Sequence, residues 1–161
     1  MYISKNEPEH FSYGDCVIKD FRTADGSVSL VVEALIVEPE NSQNANFTRS
    51  YADRTTILFE NGTVMKAVKE GYKKYDADDR LMEEIPDEQL DDKQTADLLS
   101  NLPEQYLYDL KGAGESEGFR NMVLGIEMKT DDITGIDADS YQILIRCGDM
   151  TVSWERYLNR V

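Results

Sequence analysis

Apolar and polar positions alternate along most of the chain in a way that predicts strands. Residues 28–37 carry apolar side chains on both alternating faces, which is typical of a strand covered on both sides. A further strand is predicted over residues 119–128, where Met122, Leu124 and Ile126 share one face. The dominant pattern is therefore that of a β protein.

Three short turn pairs stand between apolar runs and predict three hairpins. Asp-Gly and Asn-Gly pairs favour hairpins because both residues tolerate the positive φ of a tight turn. The three pairs are Asp25-Gly26, Asn61-Gly62 and Gly148-Asp149. The strands that flank them are expected to supply a core that includes Val32, Ile36, Leu58, Val64, Leu124, Ile126, Leu144 and Val152.

One segment has the features of a helix. Asp91 with Gln94 three residues later matches a capping box, in which each residue bonds the other's backbone amide. Leu98, Leu99 and Leu102 follow as an apolar stripe that Pro103 ends. A short helix is therefore predicted over residues 92–101.

These elements predict a β-rich α+β fold: an antiparallel sandwich or open barrel built from hairpins, with one short helix. The 161 residues are expected to form a single domain, with residues 1–12 as a flexible lead-in. The glycine-rich residues 111–118 are interpreted as a hairpin or crossover loop. Strands and helices do not alternate regularly, which disfavours a doubly wound sheet.

The charge of the chain excludes some classes of partner. There are 17 Lys and Arg residues against 32 Asp and Glu residues, a formal charge of −15. Nucleic acid is excluded as a partner because phosphate contacts need a positive face. No apolar run is long enough to span a membrane and no secretory leader is evident, so a cytoplasmic protein is expected. Cys16 and Cys147 are too few for a disulfide framework.

The residue types needed for catalysis are scarce. His10 is the only histidine and stands in a polar lead-in, where a solvated side chain is expected. One histidine and two remote cysteines cannot complete a tetrahedral zinc site. Residues 112–118 resemble a phosphate loop only superficially, because the glycine spacing is too long and Glu115 and Glu117 would repel a phosphate. We therefore predict no catalytic residue and no cofactor.

Two aspartate-rich stretches resemble calcium-binding loops. They are residues 76–79 and residues 131–139, and neither has the ligand spacing of an EF-hand. The sequence therefore predicts no metal site.

The most distinctive feature is an acidic segment, residues 76–92. It contains nine acidic residues against the single base Arg80, with apolar residues among them. It is interpreted either as a face that keeps the protein soluble or as a docking surface for a basic protein. The expected partner-binding residues are Asp76, Asp78, Asp79, Leu81, Met82, Glu83, Glu84, Ile85, Asp87 and Glu88.

Three functions are compatible with these observations. The preferred hypothesis is a non-enzymatic binding module, similar to an immunity protein or antitoxin that masks a basic partner such as a toxin nuclease. The second is a β-barrel that binds a small molecule in its interior. The third is a hydrolase that depends on carboxylates or on a metal ion.

Overall fold

A computed structural model describes residues 1–129 and 138–161. Within these ranges the chain forms a 3-10 turn (Pro8–His10), one α-helix, α1 (Asp92–Ser100), and sixteen strands. The strands are β1 (Tyr2–Lys5), β2 (Phe11–Ser12), β3 (Val17–Ala24), β4 (Ser27–Glu33), β5 (Ile36–Val37), β6 (Ser50–Ala52), β7 (Thr55–Glu60), β8 (Thr63–Lys69), β9 (Tyr72–Tyr75), β10 (Leu81–Ile85), β11 (Glu88–Gln89), β12 (Tyr106–Ser116), β13 (Phe119–Lys129), β14 (Ala138–Cys147), β15 (Met150–Trp154) and β16 (Tyr157–Arg160).

Ten of these strands form one antiparallel sheet that folds over on itself. Their order is β1-β15-β7-β4-β3-β12-β13-β14-β8-β11, and the first and last strands are not paired with each other. The two halves meet where β3 and β12 pair only at Val17 and Tyr106. Side chains from both halves fill one continuous core, so the architecture is a sandwich and not a closed barrel.

Two smaller sheets complete the structure. Strands β16, β6, β5 and β2 form one of them, and β9 and β10 form the other. The aromatic rings of Tyr2, Phe11, Trp154 and Tyr157 pack together with centroid distances of 4.9–5.9 Å, which joins the small four-stranded sheet to β1 and β15.

Two of the three predicted hairpins are wrong. Asp25-Gly26 does join the paired strands β3 and β4. Asn61-Gly62, however, joins β7, which pairs with β4 and β15, to β8, which pairs with β14 and β11. Gly148-Asp149 likewise joins β14 to β15 across the two halves of the sheet. Both turns are arches between facing layers, because a tight turn fixes the reversal of the chain but not its hydrogen-bonding partner.

The two arches support each other through the end of β7. The Glu60 amide donates to the Asp149 carbonyl at 2.9 Å, and the Gly148 amide donates to the Glu60 carbonyl at 2.7 Å. The backbone amide and carbonyl of Glu60, which a hairpin would have paired with Thr63, are thus paired with the other arch.

Five of the eight predicted core residues are buried. They are Val32, Ile36, Leu124, Ile126 and Val152. The prediction is wrong for Leu58, Val64 and Leu144, which are half-buried. Their strands are apolar on both faces, so a period of two leaves open which face lies inside. Beside Leu58 and Leu144 the inward residues are their neighbours Ile57 and Ile143, whereas Val64 itself packs against the edge of the core.

The strand predicted over residues 28–37 is interrupted. Ala34 has a φ of 63°, a left-handed conformation that ends the ladder. The residues before it form β4 of the large sheet, and Ile36 and Val37 form β5 of the four-stranded sheet. One predicted strand therefore serves two sheets.

The helix prediction is confirmed in its details. The Gln94 amide donates to Asp91 Oδ1 at 2.8 Å, and the Asp91 amide donates to Gln94 Oε1 at 2.9 Å. Leu98 and Leu102 are buried against the sheet. No helix in the two described ranges is long and apolar enough to cross a membrane.

Residues 1–12 and residues 111–118 both form regular structure, and for the second stretch the hairpin interpretation is confirmed. Residues 1–12, expected as a flexible lead-in, contribute β1, the 3-10 turn and β2. Residues 111–116 continue β12, and Glu117 and Gly118, both with positive φ, make a hairpin turn to β13. Of the second aspartate-rich stretch, residues 131–137 lie outside the described residues.

Candidate protein-binding site

The acidic segment begins in a two-stranded hairpin at the edge of the large sheet. The chain leaves β8 at Lys69 and returns in β11, which pairs with the same end of β8. Between them β9 and β10 pair with each other in a separate sheet, and every residue of both strands is exposed. We call residues 72–85 the arm.

The base of the arm is fixed to the body of the protein. The Glu70 carboxylate accepts hydrogen bonds from the Tyr108 hydroxyl at 2.9 Å and from Gln142 Nε2 at 2.8 Å. Burial, together with the adjacent Glu70 carboxylate, raises the pKa of Tyr108 well above its usual range. The Tyr108 hydroxyl therefore stays a hydrogen-bond donor at neutral pH.

Asp87 closes the base of the arm through a hydrogen bond to the backbone. Its Oδ1 accepts a hydrogen bond from the Gly71 amide at 2.7 Å. Gly71 is required at this point because a Cβ would lie 1.9 Å from the Ile85 carbonyl oxygen. Asp87, predicted as a partner-binding residue, thus has a structural role in the arm.

Asp76 has a similar role at the tip. Its Oδ1 accepts hydrogen bonds from the amides of Asp78 and Arg80, both at 2.9 Å. The Asp76 amide donates to the Arg80 carbonyl, and Asp79 takes a φ of 59°. This is an Asx turn, in which an aspartate side chain replaces a backbone acceptor. It explains how the strands reverse without a glycine.

The two glutamates of β10 each face a lysine of β9. Lys73 Nζ lies 3.7 Å from the Glu84 carboxylate, and Lys74 Nζ lies 3.6 Å from the Glu83 carboxylate. All four side chains are about half exposed, so each pair contributes on the order of 0–1 kcal/mol to stability. The pairs nevertheless cancel the charge of Glu83 and Glu84 locally.

Apolar side chains lie on both faces of the arm. Tyr75 is opposite Leu81 on one face, and Tyr72 is opposite Ile85 on the other. Met82 is the extra residue of a bulge between them and is 71% exposed. A two-stranded hairpin has no second layer on which to bury these side chains. They are available to another molecule.

The structure therefore separates the predicted site residues into three groups. Asp76 and Asp87 shape the arm, and Glu83 and Glu84 are paired within it. The remaining predicted residues are exposed and lie along the arm or beside its base: Asp78, Asp79, Leu81, Met82, Ile85 and Glu88. In the ranges that the structure covers, the acids of this last group form no ion pair.

Strand β9 also belongs to this surface, although the acidic composition of residues 76–92 did not indicate it. Tyr72 and Tyr75 contribute exposed rings, and Lys73 and Lys74 neutralise the glutamates. A signal was present, because the order Tyr-Lys-Lys-Tyr is complementary to the order Leu-Met-Glu-Glu-Ile across a short acidic turn.

The histidine and the two cysteines considered for catalysis lie in different parts of the described fold. His10 Nε2 lies 3.6 Å from the Glu9 carboxylate at the end of the 3-10 turn. Cys16 and Cys147 are buried free thiols, and burial raises the pKa of Cys16 to about 12. Among the described residues, no three His, Cys, Asp or Glu side chains are placed to hold a metal ion.

Comparisons with protein-family models, with curated proteins and with solved structures found no match to this chain.

Proposed function

We propose that the protein is a non-enzymatic binding module whose arm docks onto a basic protein, as an immunity protein or antitoxin masks a toxin nuclease. The observation that carries the proposal is the combination, on one exposed hairpin, of apolar side chains with the tip acids Asp78 and Asp79, which form no ion pair with any of the residues that the structure describes. The proposal assigns no catalytic residue and places the protein with its partner in the cytoplasm.

The apolar residues of the arm have the character of interface anchors. Interface centres are enriched in aromatic residues and methionine, and charged groups surround them. Tyr75, Leu81 and Met82 lie at the outer end of the arm and are 56%, 50% and 71% exposed. Their burial against a partner would supply the attraction that holds the complex once it has formed.

The acids at the tip are suited to a basic partner. Asp78 and Asp79 lie at the tip of the hairpin beside Arg80. Their charges are part of the net charge of −15, which attracts a basic protein over a longer range than a single contact. A nuclease presents a positive cleft to phosphate groups, and a narrow acidic hairpin is suited to enter such a cleft.

Site-specific cross-linking would test the proposal and identify the partner in the same experiment. Met82 is replaced by p-benzoylphenylalanine in cells that naturally produce the protein. The matched control carries the same group in place of Phe47, which lies outside the arm and is 89% exposed. Irradiation is expected to give one dominant adduct from position 82 to a polypeptide of basic isoelectric point. The proposal would be contradicted if position 82 gave no adduct, if its adduct contained an acidic polypeptide, or if position 47 gave the same adduct in equal amount.

The partner identified in this way permits a test of the charge assignment. Asp78→Asn with Asp79→Asn removes two charges from the tip, and Glu83→Gln with Glu84→Gln removes two charges that lysines already face. The tip variant is expected to slow association at low salt several-fold more than the strand variant. Equal effects would show that only the total charge matters.

A further inference from the structure

A groove on the body of the protein, apart from the arm, has an unusual electrostatic character. It lies where the β3–β4 turn, the β7–β8 arch and the paired strands β13 and β14 come together, and its volume is about 630 Å³. Pockets of 300–1,000 Å³ are the usual size for small ligands. Its lining residues are Gly26, Asn61, Gly62, Thr63, Met65, Phe119 and Arg146.

Arg146 provides the charge of this groove. Its guanidinium carbon lies 4.2 Å from the centre of the Phe119 ring, a cation–π arrangement that fixes the plane of the group. Its Nε is closed off from solvent and has no hydrogen-bond partner, although about a third of the side chain, 32%, is exposed. The guanidinium is thus desolvated on one side without a compensating acceptor.

Glu117 shows how a carboxylate can approach this guanidinium. Its Oε2 lies 3.3 Å from Arg146 Nη2, at the hairpin turn between β12 and β13. The Glu117 side chain is 83% exposed, so this ion pair is weak and a ligand can displace it. Glu117 therefore acts as an internal competitor for the position at Arg146.

Glu117 reaches Arg146 from the adjoining hairpin turn, and the residues that line the groove itself include no carboxylate. Four other surface cavities formed by the described residues each include at least two acidic side chains, among them Glu9 and Glu115 in one and Asp25 and Asp92 in another. In the groove Arg146 is joined instead by the neutral donors Asn61 and Thr63. In a chain with a charge of −15, such a lining favours an anion at this place.

We propose that this groove binds a small organic carboxylate with a flat apolar body. The carboxylate pairs with the guanidinium of Arg146 in place of Glu117, because a planar guanidinium matches a carboxylate in geometry as well as charge. The apolar body lies against Phe119 and Met65, which is 50% exposed. This site is independent of the arm and of the function proposed for it.

The test uses 4-fluorobenzoate as the probe and the neutral 4-fluorobenzamide as its control, with binding followed by ¹⁹F NMR line broadening. The benzoate is expected to bind and the benzamide is not. Arg146→Gln should weaken benzoate binding roughly tenfold or more, because it removes a charge-assisted contact. Arg146→Lys keeps the charge but not the planar fork, and intermediate weakening is expected from it.

The decisive comparison is between two glutamates of the same hairpin. Glu117→Gln removes the competitor and should tighten benzoate binding about two- to fivefold. Glu115→Gln makes the same change of charge, but Glu115 pairs with Arg120 at 3.5 Å, outside the groove. It should leave the affinity nearly unchanged.

Any one of the following results would overturn the proposal. They are the absence of benzoate binding even to the Glu117→Gln variant, equal effects of Glu115→Gln and Glu117→Gln, and benzoate binding that survives Arg146→Gln in a variant whose thermal transition matches that of the parent. Broadening of the benzoate signal that the benzamide reproduces would likewise show that Arg146 does not recognise the anion.

Discussion

The apolar residues of the arm are predicted to contribute little to the stability of the body, and a pair of isoleucines tests this. Ile57 of β7 is 0% exposed in the core, whereas Ile85 of β10 is 40% exposed in the arm. Ile57→Ala and Ile85→Ala make the same chemical change in two strands. The comparison therefore isolates the effect of location.

The two substitutions are expected to differ several-fold in free energy. Removing a buried isoleucine side chain costs about 2–5 kcal/mol, which for a domain of this size lowers Tm by roughly 4–20 °C. Ile85 has a cross-strand contact with Tyr72. Such a pair contributes about 0.2–1 kcal/mol to stability. The arm can also unfold locally while the rest of the protein stays folded. Tm should therefore fall by less than about 4 °C in Ile85→Ala.

Calorimetry and urea denaturation of the two variants provide the measurement. Ile57→Val, with an expected cost of about 0.5–1.5 kcal/mol, serves if Ile57→Ala does not fold. Hydrogen exchange at residues 72–85 should be faster in Ile85→Ala while exchange in β7 is unchanged. A fall in Tm as large for Ile85→Ala as for Ile57→Ala would refute the view that the arm is separate from the core.

Further predictions concern the thiols, the helix and the histidine. Iodoacetamide at pH 8 should leave Cys16 and Cys147 unmodified in the folded protein and should label both in urea. Both thiols are buried, and burial raises the pKa of each. Labelling of the folded protein, or a disulfide between the two cysteines, would contradict this prediction. Asp91→Ala should cost about 0.5–2 kcal/mol of unfolding free energy in urea titrations, whereas Asp92→Ala, which removes an acid without a cap, should cost less. His10→Ala should leave capture of the cross-linked partner intact, and a specific loss in a folded variant would show that His10 contributes to function.

Local features of the fold could be predicted from the sequence. A period of two predicts which residues of a strand share one face. The two sets predicted in this way are both buried in the structure: Val28, Leu30 and Val32 in β4, and Met122, Leu124 and Ile126 in β13. The capping box of α1 depends on two residues three positions apart. In each case the physical cause lies within a few residues of its effect.

The pairing of strands could not be predicted in the same way. Asn61-Gly62 and Gly148-Asp149 reverse the chain as expected, yet each leads from one half of the sheet to the other. Hydrogen-bonding partners are decided by packing between residues far apart in sequence, and a turn pair contains no information about them. The same limit applies to Leu58 and Leu144, whose strands have two apolar faces.

The amino-acid composition of the candidate site could be seen in the sequence, but the roles of its individual residues could not. An acidic segment with apolar residues was visible in the sequence, and the structure exposes its residues 81–85 as strand β10 of the arm. Counting charges could not show that Asp76 and Asp87 accept backbone hydrogen bonds, since that depends on the turn and on Gly71. It also could not show that Lys73 and Lys74 face two of the glutamates.

The two proposed sites should respond differently to salt. The net charge of −15 attracts a basic partner to the arm and repels an organic carboxylate from the whole molecule. Both long-range effects weaken as the Debye length falls from about 10 Å at 0.1 M salt to about 3 Å at 1 M. The contact between a carboxylate and the partly buried guanidinium of Arg146 is a direct one and is screened much less. Association at the arm should therefore slow as salt rises, while benzoate affinity in the groove should hold constant or increase. Benzoate binding that weakens with salt as steeply as association at the arm would point to a diffuse cationic surface, and the assignment of the anion site to Arg146 would fail.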